Sequence, residues 1–209
     1  EKMLDIEIED NDKLREVDEK FVSPSKVDKK FYQELEKVFE NDKFTIENTE
    51  RLIHSHGQET FKDIYKVLYK SIDRLVDLVF YPESEEDVKK IIEIALKFNV
   101  CLIPYGGGTN VTRALSVPEN EKRTVVSIDT RRLSKIEWIN KEDRRVCVEA
   151  GITGKNLDEL LKKEGFMIGH EPDSVELSTI GGWIATNASG MKKNKYGNIE
   201  DIVENVYLV

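Results

Sequence analysis

The stretch VCLIPYGGGTNV, Val100 to Val111, sets three consecutive glycines directly after a short apolar run. Glycine has no Cβ, so it tolerates positive φ and lets a backbone come close to another group. Three in a row weaken any helix or strand, so some gain must offset that cost. Two readings stand: a tight turn, or a pocket where bare amides meet a ligand.

Upstream, LVDLVFY (75–81) reads as a strand ended by Pro82. Ser84 is a good helix N-cap and is followed by Glu85, Glu86 and Asp87, which the positive end of the helix dipole favours. Val88, Ile91, Ile92, Ala95 and Leu96 then form an apolar stripe in a helix ending near Asn99. The run VCLIP is a buried strand, and the glycines follow it. This predicts a parallel strand–helix–strand unit with the glycine loop at the carboxyl end of its second strand.

Downstream, TVVSID (124–129), KIEWIN (135–140) and RVCVEAG (145–151) read as strands, with KEDR as a hairpin turn between the last two. TGKNLDELLKKEG predicts a helix capped by Thr153, facing inward through Leu157, Leu160 and Leu161, and closed by Gly165. Glycine and small residues return in FMIGHEPDSVELSTIGGWIATNASGMKKNKYGNIEDIV, and ENVYLV reads as another strand. In the N-terminal part, Val27, Phe31, Leu35, Val38 and Phe39 have helical spacing, as do Phe61, Ile64, Tyr65 and Leu68. The expected division is an N-terminal helical region, 1–70, and a ligand-binding region, 71–209. Because the chain stops where a sheet should continue, it reads as part of a larger protein.

With 209 residues, 39% hydrophobic and 35% charged, the chain reads as soluble and globular. Its net charge of −9 argues against nucleic acid or an anionic membrane as a partner through the global field. There is no apolar run of membrane-spanning length and no signal-peptide pattern at the start. Cys101 and Cys147 stand alone in apolar segments and read as buried free thiols of a reducing compartment. The sequons at Asn110 and Asn187 fall in the loops read as ligand-binding, where glycans would obstruct, which argues against secretion.

GGGTNV is not the dinucleotide fingerprint, GITGK is not a Walker loop, and no GxSxG occurs. His54, His56 and His170 have no metal-ligand spacing and read as structural or exposed; no metal is expected. What remains is a pair of small-residue loops, PYGGGTN and PDSVELSTIGGWIATNASG, both read as following apolar strands. Loops of this composition expose backbone N–H groups that form anion sites without basic side chains. The hydroxyls of Ser174, Ser178, Thr179 and Ser189 could add donors, and Gly181–Gly182 would let backbone approach a flat ring or a phosphate. That combination suits a pyrophosphate. GMKKNKYGNIED reads as a basic loop, either a solvated face or a closure over an anionic ligand.

IPYGGGTNV, VEAGITG, GHEPDSVELSTIGGWIATNASGMKKNKYGNIED and the earlier HSHGQ closely resemble the alkyldihydroxyacetonephosphate synthase (alkylglycerone-phosphate synthase) family, from about Arg51 onward. The resemblance implies an α+β fold: an FAD-binding domain of the vanillyl-alcohol-oxidase type with two α/β subdomains, preceded by N-terminal helices. It assigns the FAD diphosphate to Pro104, Tyr105, Gly106, Gly107, Gly108, Thr109, Asn110 and Val111. A second contact falls on Asp173, Ser174, Val175, Glu176, Leu177, Ser178 and Thr179, and a third on Thr186, Asn187, Ala188 and Ser189. Some relatives in the wider fold attach the flavin covalently through a histidine of the glycine loop. Here Thr109 and Asn110 stand in that loop, so the FAD is expected to be non-covalent.

The implied reaction exchanges the acyl chain of acyl-dihydroxyacetone phosphate for a fatty alcohol, with no net redox change. The substrate cap and its acid–base residues are expected beyond residue 209, so no catalytic residue is assigned here. Family likeness further implies a peroxisomal location, lipid substrates, a homodimer, and peripheral membrane contact through parts outside this chain. The alternatives are an FAD-dependent 2-hydroxy-acid dehydrogenase of the D-lactate type, and a non-catalytic module whose acidic helices bind a partner.

Overall fold

A four-stranded sheet carries the glycine loop. In the computed structural model, which describes residues 22–58, 60–61, 72 and 74–209, the sheet order is β1–β2–β4–β3. Here β1 is Phe44–Thr45, β2 Leu78–Phe80, β3 Cys101–Tyr105 and β4 Val125–Asp129. Both β2 and β3 run parallel to β4, while β1 adds an antiparallel edge to β2. The expected parallel crossover is therefore present, but β4 is inserted between its two strands. In register, Leu78 faces Val126, and Tyr105 faces Asp129.

Strand alternation gives the sheet two different faces. Leu78, Phe80, Val126 and Ile128 point to one side, where they pack with Phe31, Leu35 and Phe39 of helix α1 (Lys29–Val38) and its C-terminal flank, and with Ile91 and Ile94 of α3 (Glu85–Phe98). Val79 and Val125 point to the other side and pack with Val76 and Val117. The first core thus crosses the division expected at residue 70, because α1 covers β2 and β4 directly. Of the second N-terminal helical pattern, Ile64, Tyr65 and Leu68 lie outside the described residues, and Phe61 is exposed.

Helix α3 begins where its sequence says it should. Ser84 Oγ accepts from the Asp87 amide (3.1 Å), and Asn99 ends the helix in the left-handed region at φ 55°. Its buried stripe is Asp87, Ile91, Ile94 and Ala95. Leu96, expected inward, is 78% exposed, because at about 100° per residue it comes round opposite Asp87. Val38 and Leu160 are likewise exposed rather than inward-facing.

The second half pairs β5 (Ile136–Asn140) with β6 (Arg145–Val148) in the expected antiparallel hairpin. Against it lie α4 (Gly154–Lys163) and α5 (Ile180–Thr186), with Ile152, Leu157, Leu161, Ile180, Trp183 and Ile199 as the core. Thr153 caps α4 by accepting from the Asn156 amide (3.3 Å), and Gly165 follows the helix at φ 81°.

Some expectations fail. Residues 204–209 form no strand: a strand needs a neighbouring backbone, and none of the described strands pairs with them. The basic segment is not a plain loop but contains two one-turn helices, α6 (Lys193–Tyr196) and α7 (Ile199–Ile202). Cys101 and Cys147 are free, yet only half-buried. No helix among the described residues is long and apolar enough to cross a membrane.

Candidate cofactor site

The two small-residue loops meet. Gly106, Gly107 and Gly108 leave the carboxyl end of β3 and lie directly on the segment Leu177–Thr179. A Cβ placed on Gly107 would overlap the Leu177 carbonyl, 2.5 Å from its carbon and 3.0 Å from the Ser178 nitrogen. Gly106 faces Thr179 in the same way, and Gly108 turns at φ 67° beside the Tyr105 hydroxyl. The glycines therefore allow both a tight turn and a close approach to another segment of the same chain.

The amides of Gly106, Gly107, Gly108, Thr109 and Asn110 donate to no protein acceptor among the described residues, and all five residues are partly exposed. Val111 and Pro104 flank them and are exposed. A run of unpaired N–H donors with no carboxylate bonded to it fits an anion rich in acceptor oxygens, such as a diphosphate. On this observation the loop suits the cofactor that the resemblance implies. Among the described residues no group of His, Cys, Asp or Glu could hold a metal ion.

The second loop does not follow a strand, since residues 166–172 are irregular. It is a turn at Asp173–Leu177, with Ser174 at φ 57° and the Leu177 and Ser178 amides donating to the Ser174 carbonyl (2.9 and 2.8 Å). The Val175 carbonyl accepts from the Lys155 amide (3.0 Å), which ties the turn to α4. Ser178 and Thr179 are buried and serve the fold. Ser178 Oγ accepts from Trp183 Nε1 (2.8 Å), and Thr179 Oγ1 accepts from the Gly182 amide (3.3 Å) as the cap of α5. Asp173, Ser174, Glu176 and Leu177 stand exposed. Gly181, expected to open space for a ring or a phosphate, instead packs its helical turn on Ala150.

The third segment lies at the far end of α5, about 10 Å along the helix from Thr179 at 1.5 Å per residue. Thr186 Oγ1 donates to the Gly182 carbonyl (2.8 Å), Asn187 takes the left-handed region (φ 52°), and the Ala188 amide donates to Trp183 O (2.9 Å). Ser189 Oγ donates to Asn198 Oδ1 (2.8 Å) and so is spent on the fold. The three segments are thus one pair in contact and one at a distance. Beside the third is a shallow depression bordered by Ile184, Asn187, Ile199, Glu200 and Val203.

Beneath the glycine loop is a buried polar cluster that sequence reading missed. Asp129, at the end of β4, accepts from Arg131 Nη2 (2.5 Å) and lies 2.9 Å from Nε2 of His54, which is fully buried. Nδ1 of His54 meets the Glu50 carbonyl (2.7 Å), and its ring lies tilted at 45° against that of Tyr105, with centroids 4.3 Å apart. Burial pushes the Asp129 carboxyl up, but the bonds from His54 and Arg131 outweigh it and hold the group below the usual carboxylate range. Burial raises the Tyr105 phenol. Tyr81, raised by burial and by its bond to Glu50 (2.6 Å), closes the cluster. His54 and Asp129 are 75 positions apart, and no local spacing joins them. His170, in contrast, sits buried edge-on against Trp183 in the second core, where burial depresses its imidazole.

Comparison with known proteins agrees with this geometry. Residues 76–209 match the family model described as FAD binding domain. The chain is 51% identical over 166 residues to an alkyldihydroxyacetonephosphate synthase of Caenorhabditis elegans, covering 79% of this chain and 28% of the relative. A solved alkyldihydroxyacetonephosphate synthase structure superposes with a TM-score of 0.82 at 38% identity, covering 86% of this chain and 33% of that one. A mitochondrial D-lactate dehydrogenase [cytochrome] of Kluyveromyces lactis is 30% identical over 190 residues, covering 88% of this chain and 31% of the relative. The chain spans about a third of the length of these relatives, and its two α/β halves are those of the vanillyl-alcohol-oxidase-type fold. It belongs to the FAD binding domain family, with FAD as cofactor, and is a homologue of the alkyldihydroxyacetonephosphate synthases.

Proposed function

We propose that this chain is the flavin-binding part of an ether-lipid synthase, an alkyl transferase that exchanges the acyl chain of acyl-dihydroxyacetone phosphate for a fatty alcohol. The observation that carries the proposal is the much greater likeness to synthases than to D-lactate dehydrogenases, spread over most of the chain. In this reading the Gly106–Asn110 amides hold the diphosphate, while Pro104, Tyr105 and Val111 frame them. Asp173–Leu177 offers the second contact, with Ser178 and Thr179 fixing its shape. Thr186–Ser189 meets a more distant part of the dinucleotide. Bound flavin supplies the reactive ring, and the chain's own residues bind and orient it.

No His or Cys occurs between Pro104 and Val111, which supports non-covalent attachment. Catalytic residues and the lipid site belong to the parts of the relatives that this chain does not span. The peroxisomal location is proposed on family likeness alone.

The test uses the full-length protein supplied with acyl-dihydroxyacetone phosphate and a long-chain alcohol. The ether product should appear, and a 2-hydroxy acid should leave the flavin absorbance unchanged. Bleaching by D-lactate without ether product would overturn the proposal in favour of the dehydrogenase.

A further inference from the structure

The polar cluster under the glycine loop connects that loop to a segment outside the family match at 76–209. Helix α2 (Asn48–Ile53) and the residues after it lie against the second face of the sheet, at the carboxyl ends of β3 and β4. Three attachments anchor this segment. At its start, Arg51 Nε donates to the Val76 carbonyl (2.9 Å), and Ser55 Oγ accepts from the Val76 amide (2.9 Å). In the middle, His54 bridges Asp129 and the Tyr105 ring, and Tyr105 in turn lies against Gly108. At its end, the Gln58 amide donates to the Asn110 carbonyl (2.8 Å), and Gly57 is packed so closely that a Cβ would lie 2.7 Å from Asn110 Nδ2.

The glycine loop has few attachments of its own. The unpaired amides of Gly106–Asn110 supply no bond that fixes the loop, and glycine adds backbone freedom. What fixes it is contact on two sides: Leu177–Thr179 on one, Tyr105 and the Gly57–Gln58 backbone on the other. We propose that α2 and the His54–Gln58 segment form a strap that positions the glycine loop for its cofactor, with His54 as the positioning residue. The inference rests on reading that loop as the flavin-diphosphate site, but its structural half can be tested without flavin.

Both ring nitrogens of His54 are engaged, Nδ1 with the Glu50 carbonyl and Nε2 with the Asp129 carboxyl. Phenylalanine at this position keeps a ring against Tyr105 but loses both bonds and leaves Asp129 short of a donor. Glutamine can still reach Asp129 with its amide N–H.

The experiment uses full-length protein stripped of FAD. Hydrogen exchange is followed at the Gln58 amide, which bonds the Asn110 carbonyl of the loop, and, as an internal reference, at the β4 amides, and FAD affinity is then measured by flavin fluorescence. His54→Phe should speed exchange at the Gln58 amide and weaken FAD binding, each roughly tenfold as expected for one or two lost buried bonds, with β4 unchanged. His54→Gln should restore most of both. Wild-type exchange at Gln58 in His54→Phe would overturn the proposal, as would loss spread evenly over β4. If His54→Phe does not fold, Gly57→Ala, whose methyl would overlap the Asn110 carbonyl and push the strap off the loop, carries the same expectation and the same contrary result. If wild-type protein binds no FAD, the flavin reading fails while the exchange comparison still decides the strap.

Discussion

Gly107 lies so close to the Leu177 carbonyl that no side chain fits between them. This contact joins two segments about 70 positions apart and makes the glycine loop and the Asp173–Thr179 turn one surface. Gly107→Ala should therefore act first on the protein and only then on the cofactor. The two loops must separate, costing about 1–3 kcal/mol as overpacking of a tight contact does. In full-length protein the melting temperature should fall and the purified protein should lose flavin colour. Undiminished flavin absorbance in Gly107→Ala would show that the approach of the loops is not needed for binding.

Asp77 is the hub of the first half. Its carboxylate takes two bonds from Arg74 (2.8 and 2.6 Å) and one each from the amides of Val125 and Lys26 (both 2.9 Å). Burial pushes the carboxyl up, yet these four donors hold it below its usual value. A carboxyl lowered on folding stabilises fully above its unfolded value, about 3.9, and the contribution disappears as pH falls through the folded value. Urea midpoints should therefore drop on acidification, and Asp77→Asn should flatten that acid limb. At neutral pH, Asp77→Ala strands a buried guanidinium and should cost about 3–5 kcal/mol. An unchanged midpoint would contradict the assignment.

Trp183 fills the second core and bonds Ser178, while Gly154 lies flat against its ring. Gly154→Ala should destabilise by about 1–3 kcal/mol, since its methyl would overlap the indole. Trp183→Phe removes the outer ring atoms and also the N–H that holds Ser178. The two changes should couple: the double variant should be more stable than the sum of the single losses allows, by at least about 0.5 kcal/mol in denaturant unfolding. Additive losses would mean that the helix start shifts away from the ring.

Much of the scaffold could be read from the chain because its signals are local. The Ser84 cap, the left-handed Asn99 and the 3.6-residue stripe identify α3, and the short apolar runs identify β3, β4 and the β5–β6 hairpin. Leu96 misled because an apolar residue on an exposed helix face looks the same in sequence as one in the stripe. The run at 204–209 misled because strand-like composition does not supply a partner strand.

At the site, composition identified both loops, but their mutual contact could not be read. The distance from Gly107 to Leu177 is a property of the folded chain, set by how α4 and α5 pack. The Ser178 and Ser189 hydroxyls looked available and are engaged with Trp183 and Asn198. His54 was passed over because its partners, Asp129 and Tyr105, have no fixed offset from it in sequence.

The central claim is that the main-chain amides of Gly106–Asn110 hold the FAD diphosphate. Hydrogen exchange of full-length protein with and without FAD tests it most directly. Cofactor should slow exchange at these five amides by at least about tenfold, as donors tied up in bonds to a charged ligand require. If FAD binds and slows exchange elsewhere while residues 106–110 exchange as fast as in the apoprotein, the claim is contradicted.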